Sequence, residues 1–116
     1  MKNFKNLKVW QKSIELVKNI YACTNDFPKE ELFGLTGQIR RSAVSIPSNI
    51  SEGAGGGSKK EFNKFLNIAI GSSYELETQL IISHEINFIS DENFENLNSR
   101  LDEVQKMIFG LQKSVI

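Results

Sequence analysis

From Leu7 the apolar residues Leu7, Trp10, Ile14, Val17 and Tyr21 recur by threes and fours. That spacing places them on one face of an α-helix and predicts a first helix over residues 7–24. Val9, Leu16 and Ile20 make a second apolar row beside the first, so burial on two sides is expected. Asn25-Asp26-Phe27-Pro28 interrupts the pattern, because proline lacks a backbone donor and draws the preceding residue away from helical geometry. A second stripe, Leu32, Leu35, Ile39, Ala43, Ile46 and Ile50, predicts a helix over 30–52, its start blurred by Gly34 and Gly37. Pro47 lies inside it and predicts a kink or a loosened turn. Asn49, one turn after Ser45, is expected to bind the backbone groups that Pro47 leaves unpaired.

Gly53-Ala54-Gly55-Gly56-Gly57 reads as a flexible connection, and Ser58-Lys59-Lys60-Glu61 as a capping box that opens a third helix over 59–86. Phe62, Phe65, Ala69, Ser73, Leu76 and Leu80 share one face of it, with Leu66, Ile70, Tyr74 and Ile81 alongside. The small residues Ala69, Gly71, Ser72 and Ser73 admit a close neighbour, at a cost in helix propensity at Gly71. Asn87 to Ser90 make a turn, and Ser90 followed by Asp91 and Glu92 supplies an N-cap and favourable charge for a fourth helix over 91–114. Phe94, Leu97, Leu101, Val104, Ile108, Leu111 and Val115 alternate spacings of three and four, the seam of a left-handed bundle. Four helices on short links predict an all-α fold, an antiparallel up-and-down four-helix bundle forming one domain over residues 1–116.

Composition narrows the chemistry. Cys23 is the single cysteine, so no disulfide forms within a chain, and a reducing, cytoplasmic setting is expected. No apolar h-region follows the first lysines, and no apolar run is long enough to cross a bilayer, so no membrane partner is expected. Lys plus Arg and Asp plus Glu number fourteen each, which leaves no overall basic excess for nucleic acid. The sole histidine, His84, cannot supply the Glu-x-x-His pairs of a di-iron bundle, and Ser83-His84-Glu85 are neighbours in sequence that face different ways on a helix. No metal, cofactor or catalytic relay is expected, and the chain does not read as an enzyme.

Three blocks carry a resemblance: Leu7 to Ser13 (LKVWQKS), Gln38 to Gly53 (QIRRSAVSIPSNISEG) and Phe65 to Leu80 (FLNIAIGSSYELETQL). Through them the chain resembles the small four-helix-bundle proteins named after intervening sequences in bacterial 23S ribosomal RNA genes. The resemblance implies an up-and-down bundle assembled as a homo-oligomer, commonly a pentamer, with a role linked to RNA or an RNA-associated protein; it supplies no activity. A related accessory protein of diversity-generating retroelements looks like the same fold and engages nucleic acid through a strongly basic ring surface. The balanced charge here departs from that pattern.

Among individual residues, Arg40, Arg41, Lys59, Lys60 and Lys64 are candidates for a phosphate-binding patch, although lysines one turn apart also suit a plain solvated face. Arg40, Glu52, Glu75 and Glu77 are expected to pair across the second and third helices, and with Ser45 and Asn49 to form a structural polar network. The glycines before Lys59 lack the Gly-Lys-Ser/Thr order of a nucleotide-binding loop and follow a helix rather than a strand. Trp10, Tyr21 and Tyr74 read as core or subunit interface in preference to base-stacking platforms. The expectation is a noncatalytic homo-oligomeric scaffold or adaptor engaging RNA or an RNA-associated protein. The alternative is a pure protein–protein interaction module with no direct nucleic-acid binding.

Overall fold

Each stretch of three-and-four periodicity becomes a helix in the computed structural model, which describes residues 3–115; Met1, Lys2 and Ile116 of the expected span lie outside the described residues. The helices are α1 (Lys8–Thr24), α2 (Leu35–Ala54), α3 (Lys59–Glu85) and α4 (Asp91–Val115), with 3-10 turns at Phe4–Asn6 and Lys29–Glu31. α1 packs on α2 and α4, and α3 packs on the same two helices, so the four close into a square in chain order. Side-chain contacts give the directions. Ser42 meets Gln79 and Ser45 meets Ser72 across α2 and α3, Gln105 meets Ser73 and Gln112 meets Asn67 across α3 and α4, and Thr24 at the end of α1 meets Arg40 near the start of α2, so consecutive helices run antiparallel in a four-helix bundle.

The core is the expected one along α4, where Leu97, Leu101, Val104 and Ile108 are buried with Phe94 and Leu111 packed against them. Burying each such side chain stabilises the fold by about 1.5–3 kcal/mol before its entropy cost. On α1 the two rows exchange ranks. Val9, Leu16 and Ile20 are buried with Ser13 and Thr24, whereas Trp10 and Val17 only flank the core and Tyr21 is exposed. The polar pair is tolerated because Ser13 donates to the Trp10 carbonyl at 2.7 Å and Thr24 to the Ile20 carbonyl at 2.8 Å, so neither hydroxyl is stranded.

Helix starts follow local chemistry. α2 begins at Leu35, five residues later than expected, because the chain turns through Lys29–Glu31 and the Glu31 carboxylate accepts from the Leu35 amide at 3.1 Å. The Ser58 hydroxyl accepts from the Glu61 amide at 3.0 Å, and Ser90 caps α4 through the Asn93 amide at 3.1 Å. α3 ends where Asn87 takes φ 66° and the Phe88 amide reaches back to the Ser83 carbonyl at 2.8 Å, the left-handed helix stop that asparagine tolerates. Phe27 and Phe88 then meet edge to face, with 5.4 Å between ring centroids, and join the two turns at that end of the bundle.

α2 stays helical through Pro47, so no break replaces the expected kink. Asn49 does not reach the Ala43 carbonyl that proline leaves free. Its amide donates to the Ser45 carbonyl at 2.8 Å and to the Ser45 hydroxyl at 2.9 Å. Ser45 is one turn back, whereas Ala43 is six residues away, nearly two turns at 3.6 residues each.

Candidate functional site

The closest approach in the bundle is between α2 and α3, and its cause is side-chain size. At Gly53 an added Cβ would lie 2.6 Å from the Cβ of Phe65 and 3.2 Å from a ring carbon of Phe62, so the two backbones meet with no room for a methyl group. Ala43 and Ala69, both fully buried, continue the contact. Along the same seam the Ser42 hydroxyl donates to the Gln79 side-chain oxygen at 2.6 Å, and the Ser45 and Ser72 hydroxyls lie 2.8 Å apart. Outside these pairs Gln38, Arg41, Ser42, Ser45 and Glu75 line a small polar cleft.

The expected pairing of Arg40 with Glu52, Glu75 or Glu77 does not form. Arg40 turns toward α1, where its Nε donates to the Thr24 hydroxyl at 2.9 Å, a terminal nitrogen donates to Asn25 at 3.2 Å, and the guanidinium lies 4.5 Å from the centre of the Tyr21 ring. The physical reason is position around the helix. Ser42, Ser45 and Asn49 mark the side of α2 that faces α3, and Arg40 falls on the other side, over the C-terminus of α1, where a cation also meets the free carbonyls favourably. Glu77 instead accepts from the Gln105 amide of α4 at 3.0 Å, and Glu52 is exposed. Ser45 and Asn49 do share a network, with Ser72 as the partner that sequence spacing gave no means of finding.

The five candidate cations fall into two groups. Lys59, Lys60 and Lys64 are exposed on the first turns of α3. Arg40 and Arg41 lie toward the opposite end, because thirteen residues of α2 separate Arg41 from Ala54, or about 20 Å at 1.5 Å per residue. They do not make one patch.

A second surface emerges only from the packing. Tyr21, Leu32, Phe33, Val44, Arg40 and Arg41 line an open groove of about 570 Å³ between α1 and α2. Phe33 is 94% exposed, an unusual position for a phenyl ring. Chemistry-bearing groups elsewhere are engaged structurally. His84 stacks on Phe94 at 4.3 Å and its Nε2 lies 2.6 Å from Asp91, while Ser83 donates within its own helix to Gln79. Burial, aided by the Asp26 carboxylate, pushes the Cys23 thiol up, away from the thiolate that a nucleophile needs. Among the described residues no three His, Cys, Asp or Glu side chains cluster to hold a metal, and no helix is long and apolar enough to cross a membrane.

A family model described as 23S rRNA-intervening sequence protein matches residues 5–110. The chain belongs to that family. A crystal structure from Bacteroides thetaiotaomicron, described as a protein with unknown function from the S23 ribosomal protein family, is similar at 30% identity. The likeness covers 90% of this chain and 95% of that one, with a TM-score of 0.84. No curated protein matches. Within the 23S rRNA-intervening sequence fold, the blocks Gln38 to Gly53 and Phe65 to Leu80 are the two helix segments that meet along the α2–α3 seam. Two of the three blocks that carry the resemblance therefore lie along the α2–α3 contact, and close packing accounts for their small side chains.

Proposed function

We propose that this member of the 23S rRNA-intervening sequence family is a noncatalytic, homo-oligomeric scaffold or adaptor, held in the cytoplasm with its cysteine reduced. The observation that carries the reading is apolar exposure. Among the described residues ten large apolar side chains are at least 39% exposed, Phe33 almost wholly. Grouped apolar surface of this kind marks an interaction site. Copies of the chain are the partner that is always present at matching concentration, and the family resemblance implies five of them.

The partner presented with RNA in mind is RNA itself or an RNA-associated protein, a reading supported by the family's description and by Lys59, Lys60 and Lys64 at the N-terminal end of α3. A pure protein–protein module is the competing account, supported by zero net charge and by the use of Arg40 inside the bundle. Light scattering after gel filtration tests assembly: a mass several times the 13.1 kDa chain is expected, and a single-chain mass at micromolar concentration refutes it. Fluorescence anisotropy with structured and single-stranded RNA tests the partner. Binding that weakens steeply with salt and falls when the three lysines are neutralised supports the RNA adaptor; no binding at low salt leaves the protein module.

A further inference from the structure

On the outer side of the α2–α3 contact, spacings of three and four bring polar residues of both helices together. Gln38, Arg41 and Ser45 follow one another along α2, and Ser72, Glu75 and Gln79 along α3. The Ser42–Gln79 and Ser45–Ser72 bonds join the helices on either side of Glu75. Gln38, Arg41, Ser42, Ser45 and Glu75 line the cleft between them, whose volume of about 290 Å³ lies at the small end of the roughly 300–1,000 Å³ typical of small-molecule sites and suits a ligand of amino-acid size.

The floor of this cleft is fixed and its rim is free. Ser42 and Gln79 are buried, and the Gln79 oxygen that accepts from Ser42 leaves its amide nitrogen without a partner among the described residues. The Ser45 hydroxyl oxygen accepts from the Asn49 amide, and of the two hydroxyl protons at the Ser45–Ser72 pair one lies between the oxygens, which leaves the other for a further acceptor. On the rim Arg41 and Glu75 are exposed, and neither forms an ion pair among the described residues. Gly37 makes room for the arginine, since a Cβ there would lie 3.2 Å from a guanidinium nitrogen of Arg41.

We infer that the cleft binds a polar α-amino acid as its zwitterion, the carboxylate on Arg41 and the ammonium on Glu75. The planar fork of a guanidinium suits a carboxylate, which it can hold through two parallel hydrogen bonds. A cleft of both signs selects a ligand of both signs. Phosphate or another simple anion that reached Arg41 would meet the Glu75 carboxylate, and a metal cation held by Glu75 would meet the guanidinium. A nucleobase fits poorly, because no aromatic or apolar residue lines the cleft to stack on its face. The same lining sets the ligand's side chain: Gln38, Ser42 and Ser45 offer hydrogen bonds, so serine or glutamine fits and leucine does not. Binding breaks no ion pair, since Arg41 and Glu75 are unpaired beforehand among the described residues, and it needs neither a second copy nor RNA.

Isothermal titration calorimetry of the full chain with L-serine and L-glutamine tests the site. Saturable binding of at least one of them, in the millimolar range or tighter, is expected, and it should weaken about tenfold or more in Arg41→Gln and in Glu75→Gln. Both residues are exposed, and circular dichroism checks that the variants keep their helicity. Blocked ligands test each charge without altering the protein. N-acetylation, which removes the ammonium, and conversion to the amide, which removes the carboxylate, should each abolish binding. No binding of either amino acid up to about 10 mM overturns the site. So does binding that survives either folded variant, that tolerates either blocked ligand, or that is matched by L-leucine, inorganic phosphate or guanosine monophosphate.

Discussion

Arg40 shows how one side chain changes meaning once its neighbours are known. In sequence it is one of a pair of arginines open to phosphate or to a carboxylate on the third helix. In the fold its guanidinium is divided among Thr24, Asn25 and the face of Tyr21, and it ties the end of α1 to α2. Arg40→Ala is expected to lower stability by about 1 kcal/mol, through the lost hydrogen bonds and the lost cation at a helix C-terminus. Arg40→Lys should recover only part, because an ammonium lacks the planar fork that both bonds and stacks. Thermal denaturation of the two variants checks this; equal melting temperatures for wild type and Arg40→Ala would assign the arginine to a partner. Asn49 carries the same lesson. Its role as a local hydrogen-bond donor was legible from its spacing, but its acceptor was not, because reach around a helix favours the residue one turn back.

Among the elements, α2 and α3 depend on each other most closely. Their small residues were visible as a tolerance for close approach; that Gly53 is the tightest point was not, since Phe62 and Phe65 reach it only across the folded loop. Gly53→Ala would gain helix propensity on an isolated helix, yet here the methyl must displace backbone-proximal atoms of Phe65. Overpacking should win, with a net loss of about 1–3 kcal/mol measurable by urea unfolding. A stabilised variant would mean that α2 and α3 shift apart without penalty. α2 starts later than its apolar spacing predicts for a related reason. Glu31 acts as a cap only because the 3-10 turn before it brings its carboxylate back to Leu35, a geometry that no spacing rule encodes.

At the scale of the molecule, charge is arranged rather than accumulated. Net charge zero leaves no uniformly basic surface, yet the two halves of the bundle differ: residues 1–54 carry eight lysines and arginines against five carboxylates, and residues 55–116 carry six against nine. If attraction between unlike charges orients the proposed self-assembly, salt should weaken it. The screening length falls from about 10 Å at 0.1 M to about 3 Å at 1 M. Sedimentation velocity at these two concentrations should show a several-fold weaker association at the higher one, and association that is unchanged or tighter would leave apolar contact as its sole basis.

The sequence by itself determined the four helices, most of their ends, the α4 seam and the bundle they build. These features depend on residues within a turn or two of one another, on caps, glycines and apolar periodicity, which the linear chain displays. Tertiary structure decided which of two apolar rows on α1 is core, where Arg40 points, how far Arg41 stands from Lys59, and which apolar residues stay uncovered. Those outcomes depend on where a second helix happens to lie. A helix with two apolar rows offers both to its neighbours, and only the angle at which those neighbours pack decides which row meets protein and which is left facing solvent.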